Sequence, residues 1–188
     1  MYHLVVFVSG GGTTLQSIID CIKKKELDCE ISLVISNSPD AYALERAKKA
    51  GIETYVIQNK TAENIDLELE NVLNHYEIDL IVLAGYLKKI GSNLVDKYTI
   101  INTHPSLIPK FCGKGMYGMK VHQAVVEAGE KISGATVHYV NNHYDEGNII
   151  SQTKIDVLPT DTADDVAEKV KAVEKIQLIE VIRDLSKK

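Results

Sequence analysis

The sequence predicts an α/β fold, with residues 1–188 forming one domain on a mostly parallel twisted sheet, helices on both faces and antiparallel C-terminal strands. Three observations predict it. Short, almost wholly apolar segments recur along the first hundred residues, the pattern of strands buried on both faces. They alternate with stretches whose apolar residues have helical spacing, which is the rhythm of a parallel sheet with crossover helices. After residue 130 the rhythm changes to two strand-like segments joined by a turn and closed by a long helix.

Leu4 to Val8 is the first strand, and Thr13 to Lys25 follows as a helix with Leu15, Ile18, Ile19 and Ile22 on one face. Lys23, Lys24 and Lys25 suit that helix's C-terminal end, where cations meet a favourable dipole. Ile31 to Ile35 is the second strand, and Ala41 to Ala50 the second helix, ended by Gly51. Ile52 to Ile57, the helix Ile65 to His75, and the apolar strand Leu80 to Ala84 continue the alternation. A short helix around Leu94 precedes the strand Thr99 to Thr103. Gly134 to Val140 and Asn148 to Ile155 form the late pair around the turn Asn141 to Gly147. Pro159, Thr160 and Asp161 are expected to cap the closing helix Ala163 to Leu185. The glycine-rich stretch Cys112 to Gly118 is expected to be a mobile flap.

Composition narrows the function classes. Hydrophobic content of 45% and charged content of 25% are those of an ordinary soluble globule. A net charge of −5 and the lack of a basic run argue against nucleic acid as a partner. No apolar run approaches the roughly 20 residues of a membrane span, and no signal peptide precedes Val5. Cys21, Cys29 and Cys112 are odd in number and lack CxxC spacing, so neither a disulfide framework nor a zinc cluster is expected. A cytoplasmic protein acting on small molecules is expected, as a monomer or homodimer.

Parallel sheets of this kind bind ligands beyond the carboxyl ends of their strands. The first such end carries Ser9, then Gly10, Gly11, Gly12, Thr13 and Thr14. Glycines let the backbone approach an anion, and the following helix N-terminus offers free amides and a favourable dipole. As a dinucleotide fingerprint the loop falls short. GxGxxG would need a glycine at Leu15, and Ser36 and Asn37 stand where an acidic ribose-binding residue belongs. No Gly-Lys-Ser/Thr follows either, so phosphate binding without a dinucleotide fits best.

Asn102 and His104 stand two apart at the end of a strand, so their side chains point the same way. Pro105 and Pro109 then stiffen the chain around Ser106 to Ile108. An amide donor and a titratable ring held together make an oxyanion-stabilising, proton-handling pair. Asp145, in the turn Asp145-Glu146-Gly147, could face His104 and favour its charged form. His138 and His143 near Asp145 raise a metal-site alternative, but their spacing offers no HxxxH face, so no metal is expected.

Taken together, Ser9 to Gly12, Ala84-Gly85-Tyr86, Asn102 to Pro109, Gly134 to His138 and Tyr144 to Gly147 resemble the folate-dependent formyltransferase family, from Val5 to about Glu174. The resemblance implies a Rossmann-like formyltransferase fold and catalytic roles for Asn102, His104 and Asp145. It implies substrate binding, phosphate and ribose, by Gly10, Gly11, Gly12, Thr13, Thr14 and Glu174. It implies a folate-binding wall of Tyr86, Leu87, Lys88, Lys89 and Ile90 with Asn141, Asn142, His143, Tyr144 and Glu146. The implied reaction moves the formyl group of 10-formyltetrahydrofolate, as co-substrate and without metal, to the amine of glycinamide ribonucleotide in purine biosynthesis.

The chain departs from the family's pattern at Thr14, usually asparagine, at Asn142, usually acidic, and at Lys175, usually histidine; the usual Tyr-Pro further on is absent. Members acting on methionyl-tRNA carry a C-terminal nucleic-acid-binding domain, and hydrolytic members an N-terminal regulatory domain; neither is expected here. Sugar-nucleotide formyltransferases and formyltetrahydrofolate hydrolases are the alternatives within the family. A non-catalytic phosphoribosyl-ligand binder is the alternative of another class.

Overall fold

The computed structural model describes residues 1–143 and 145–188. Among the described residues there are seven strands and six helices, in one sheet of order β3-β2-β1-β4-β5-β6-β7. The expected class, a mostly parallel sheet with antiparallel C-terminal strands, is observed. The chain divides into two compact units, Met1–Ile101 with Leu185–Lys188, and Asn102–Asp184.

In the first unit β1 (Tyr2–Val8) runs parallel to both β2 (Cys29–Ser36) and β4 (Leu80–Leu83), and β3 (Thr54–Val56) pairs with β2. Leu4 to Val8 are fully buried, as a strand covered on both faces requires. β1 therefore lies where the strand order reverses, so the loops after β1 and β4 flank a topological switch point. The helices are α1 (Thr13–Lys23), α2 (Tyr42–Lys49), α3 (Ala62–Leu73) and α4 (Ser92–Lys97). Gly51, at φ +74°, ends α2 while the Ile52 amide returns to the Ala47 carbonyl at 2.9 Å. β3 is shorter than the expected strand Ile52 to Ile57, since Thr54 to Val56 are the residues that pair with β2. β5 (Ile100–His104) begins in this unit.

The second unit carries the end of β5, α5 (Met119–Glu127), β6 (Ile132–Tyr139), β7 (Ile149–Asp156) and most of α6 (Ala163–Ser186). β6 and β7 are antiparallel, with Thr136 opposite Gln152. Val125 of α5, Ala135 of β6, and Val166 and Val170 of α6 form its core. Helix α5 has no counterpart in the sequence reading. Its buried residues are only Val121, His122 and Val125, one of them polar, and it follows a glycine-rich stretch, so the pattern is weak until packing completes it. The cap of α6 also differs from Pro159-Thr160-Asp161. Thr162 and Asp165 form a reciprocal cap, the Thr162 amide donating to Asp165 at 2.8 Å and the Asp165 amide to Thr162 Oγ1 at 3.2 Å. Asp161 instead accepts from Lys169 Nζ at 2.5 Å. Among the described residues, no helix is long and apolar enough to cross a membrane.

Candidate active site

The loop after β1 is built from backbone. Gly12, at φ +72°, sits at the N-cap of α1 without a side-chain cap, and the helix's first turn holds no acidic residue. Its first amides are therefore unpaid donors at the positive end of a helix dipole. Gly10, Gly11 and Thr13 are exposed, and Gly12 and Thr14 half-buried. The Ala43 amide donates to Gly10 O at 3.0 Å, and Arg46 Nε to Gly11 O at 2.8 Å.

The expected folate wall separates by burial. Tyr86 and Ile90 are buried, and the Tyr86 ring meets Phe7 edge-on with centroids 5.2 Å apart. Leu87, Lys88 and Lys89 are exposed, so they are the part of this loop free to meet a ligand. Ser9 links the loops after β1 and β4, donating to Asn37 Oδ1 at 2.6 Å and accepting from the Leu87 amide at 2.9 Å.

Asn102, His104 and Asp145 come together in the second unit. Strand alternation puts Asn102 and His104 on one side of β5. Asp145, at φ +54° in the turn after β6, turns its carboxylate toward them. Oδ2 accepts from the Gly113 amide at 3.0 Å and lies 3.5 Å from His104 Nδ1. Oδ1 lies 3.4 Å from His138 Nε2 and accepts from Asn102 Nδ2 at 3.5 Å. Burial pushes the Asp145 carboxyl up, but the His138 hydrogen bond, the His104 charge and the Gly113 amide outweigh it and hold the group below its ordinary range. A non-glycine residue held at positive φ costs energy and persists where its surroundings fix it.

The two rings are oriented by carbonyls. His104 Nε2 donates to Phe111 O at 2.8 Å, and His138 Nδ1 donates to Tyr139 O at 2.8 Å. A carbonyl only accepts, so each of those nitrogens carries a proton. Asn102 Nδ2 faces both His138 Nε2, at 3.2 Å, and Asp145. The donors read from the sequence are thus engaged within the cluster, and His104 Nε2 reaches an incoming oxygen only by releasing Phe111. His138 entered the sequence reading within the stretch that carries the resemblance and as a possible metal ligand, with no catalytic role; here it is the fourth member of the cluster. Its signal was weak: Thr136 and His138, two apart in β6, put two polar side chains on one side of the strand. Among the described residues, no three His, Cys, Asp or Glu side chains gather as a metal-binding group.

Glu174 lies apart from this cluster. Thr103, on the opposite side of β5 from Asn102 and His104, donates to its Oε1 at 2.9 Å. Burial raises the Glu174 carboxyl above its ordinary range, against the lowering effects of Thr103, Lys171 and Lys175. In the turn after β6, Asn141 Oδ1 accepts from the His143 amide at 2.9 Å, and Asn142, His143 and Glu146 are exposed. Tyr144, expected in the folate wall, is outside the described residues.

The family described as "Formyl transferase" matches residues 2–182. A chloroplastic phosphoribosylglycinamide formyltransferase of Vigna unguiculata is 39% identical over 97% of this chain, which spans 60% of that protein's length. Against the Arabidopsis thaliana counterpart the chain spans 63% of the length. The phosphoribosylglycinamide formyltransferase of Haemophilus influenzae is 38% identical over 93% of this chain and 82% of its own length. The crystal structure of glycinamide ribonucleotide transformylase 1 from Symbiobacterium toebii superimposes with a TM-score of 0.90 at 34% identity, covering 97% of this chain and 86% of that one. The chain belongs to the formyl transferase family.

Proposed function

We propose that this chain transfers the formyl group of 10-formyltetrahydrofolate to the amine of glycinamide ribonucleotide, giving formylglycinamide ribonucleotide and tetrahydrofolate in purine biosynthesis. Residues 1–188 act in this reading as one formyltransferase domain, cytoplasmic, working on small molecules without nucleic acid or membrane, as a monomer or homodimer. The observation that carries it is the Asp145 carboxylate with Asn102, His104 and His138 gathered around it. The names of the relatives above support the choice of acceptor.

The neutral amine attacks the formyl carbon and a tetrahedral oxyanion forms. Asn102 and protonated His104 donate to that oxygen, His104 giving up the Phe111 carbonyl and Asn102 one of its contacts to His138 and Asp145 to do so. Donors of this kind are often worth about 3 kcal/mol each. Asp145 orients His104 and, through water, relays the proton lost by the attacking nitrogen to the folate nitrogen that leaves. The C–N bond to the amine forms first, and the C–N bond to the folate breaks as the oxyanion collapses back to a carbonyl, so atoms balance without a covalent enzyme intermediate or a metal-bound step.

Gly10, Gly11, Gly12, Thr13 and Thr14 take the substrate's phosphate on their amides and hydroxyls. Glu174 contacts its ribose or glycinamide. Tyr86 to Ile90 and the residues 141–146 hold the folate, with Leu87, Lys88 and Lys89 on the exposed part of the first loop.

Purified protein is mixed with both substrates and no added metal, and the deformylated folate is followed spectroscopically. Turnover that needs glycinamide ribonucleotide and collapses in Asn102→Ala and Asp145→Asn is the expected result. Folate deformylation without the ribonucleotide would instead indicate a hydrolase. No turnover would favour a sugar-nucleotide formyltransferase or a binder without catalysis.

A further inference from the structure

The glycine loop is held from behind by α2. The Ala43 amide donates to Gly10 O at 3.0 Å and Arg46 Nε to Gly11 O at 2.8 Å. The approach is close enough that a Cβ added at Gly12 would come within 2.5 Å of the Ala43 Cβ. Arg46 is itself fixed, donating from Nη1 to Gln16 Oε1 at 3.3 Å and lying 5.0 Å above the centre of the Tyr42 ring. One half-buried guanidinium therefore ties together the glycine loop, the first turn of α1 and α2.

The geometry of the peptide gives this tie a consequence. In a planar trans peptide the carbonyl and the next amide point in opposite directions. Pinning the carbonyls of Gly10 and Gly11 toward α2 turns the amides of Gly11 and Gly12 away from it. Successive amides aimed outward, continued by the uncapped amides of α1, form an anion-binding concavity. The guanidinium places a permanent positive charge behind it.

We propose that Arg46 is a positioning residue for this concavity, and that through Gly11 it makes the site select a phosphorylated substrate over its unphosphorylated counterpart. The proposal rests on the reading that residues 10–14 take the phosphate of glycinamide ribonucleotide. Loss of a hydrogen bond from a charged donor to the loop is expected to weaken phosphate recognition about tenfold or more.

The test measures kcat and KM of the full chain for glycinamide ribonucleotide and for glycinamide riboside, in wild type, Arg46→Gln and Arg46→Lys, with thermal melts alongside. Arg46→Gln should lower the preference for the ribonucleotide about tenfold through KM, leaving kcat within about threefold. Arg46→Lys, which keeps the charge and one donor, should recover part of that loss. An equal fall for both substrates, or a preference that survives in Arg46→Gln, would overturn the role of Arg46. A wild type without preference for the phosphorylated substrate would overturn the reading of the loop itself. Should Arg46→Gln fail to fold, Arg46→Met, which keeps the stem but removes the charge and the donors, decides, since an unchanged preference there sinks the proposal.

Discussion

The loop after β1 and the cluster around Asp145 both fix charge in place, but with different materials. The loop uses backbone: glycine amides, a helix N-terminus and carbonyls pinned by α2. Its residues lie within a few positions of each other, and Arg46 and Ala43 hold them from further along the chain. The cluster uses side chains from β5, β6 and the following turn, with Asn102 and Asp145 separated by 43 residues. A backbone site tolerates side-chain change and fails when the conformation changes. A side-chain site fails when one group is replaced.

Asp145→Asn is the largest test of this difference. The amide keeps the shape but loses the charge that His104 and His138 face and brings an N–H where the Gly113 amide donates. Formyl transfer should fall by about 100-fold or more, in the range of a lost acid–base group. KM for glycinamide ribonucleotide should change little, which steady-state kinetics would show. A variant that keeps more than a tenth of wild-type kcat would remove Asp145 from the centre of the cluster.

Gly12→Ala attacks the other region by conformation alone. The added Cβ meets Ala43 in a residue already at φ +72°, so the loop must shift. About 2 kcal/mol of stability should be lost, or roughly 4–8 °C in melting temperature for a chain of this length. KM for the ribonucleotide should rise well beyond any change in kcat. A folded Gly12→Ala protein with unchanged KM would mean that the loop's shape does not matter to the substrate.

The contrast also explains what could be read from the sequence. The glycine loop was legible because glycine content and a strand-to-helix junction are local signals, and the parallel sheet because apolar runs such as Leu4 to Val8 need no tertiary knowledge. The pair Asn102 and His104 was legible from strand alternation. That His138 completes the cluster was not, since one histidine among the apolar residues of β6 looks the same whether it faces Asp145 or merely a backbone carbonyl. Nor could the sequence show that Phe111 and Gly113 close on the cluster through backbone atoms, which leave no trace in residue type. Helix α5 escaped because its pattern is short and its start is a glycine that any loop could contain.

Acid stability separates two carboxylates of the second unit. Asp145 is lowered when folded, so between its two pKa values the unfolded chain binds the extra proton and stability rises with pH. Its contribution is present above the unfolded value, about 3.9, and is lost as pH falls through the lower folded value. Glu174 is raised, so the sign reverses. Its burial costs stability above the folded value, and the cost disappears below the unfolded value of about 4.3. Glu174→Gln should therefore melt about 2–4 °C above wild type at pH 7 and lose that advantage near pH 4. Asp145→Asn should melt below wild type at pH 7 and converge with it at lower pH. Calorimetry from pH 3 to 7 checks both; parallel curves for the two variants would contradict the assignment of opposite signs.

The smallest expected effect comes from Ser9, whose side chain links the backbone region to the loop after β4. Its hydroxyl donates to Asn37 and accepts from the Leu87 amide, joining the loops after β1 and β4. The Leu87 amide is close to solvent, so water can replace the lost acceptor in Ser9→Ala. The cost should be about 1 kcal/mol or less, with affinity for both the ribonucleotide and the folate reduced no more than about fivefold and kcat nearly unchanged. Calorimetric melts and KM values for each substrate would measure it. If Ser9→Ala instead loses turnover on the scale of Asp145→Asn, the region after β1 depends on a side chain as much as the cluster does. The distinction between a backbone-built and a side-chain-built region would then have to be abandoned.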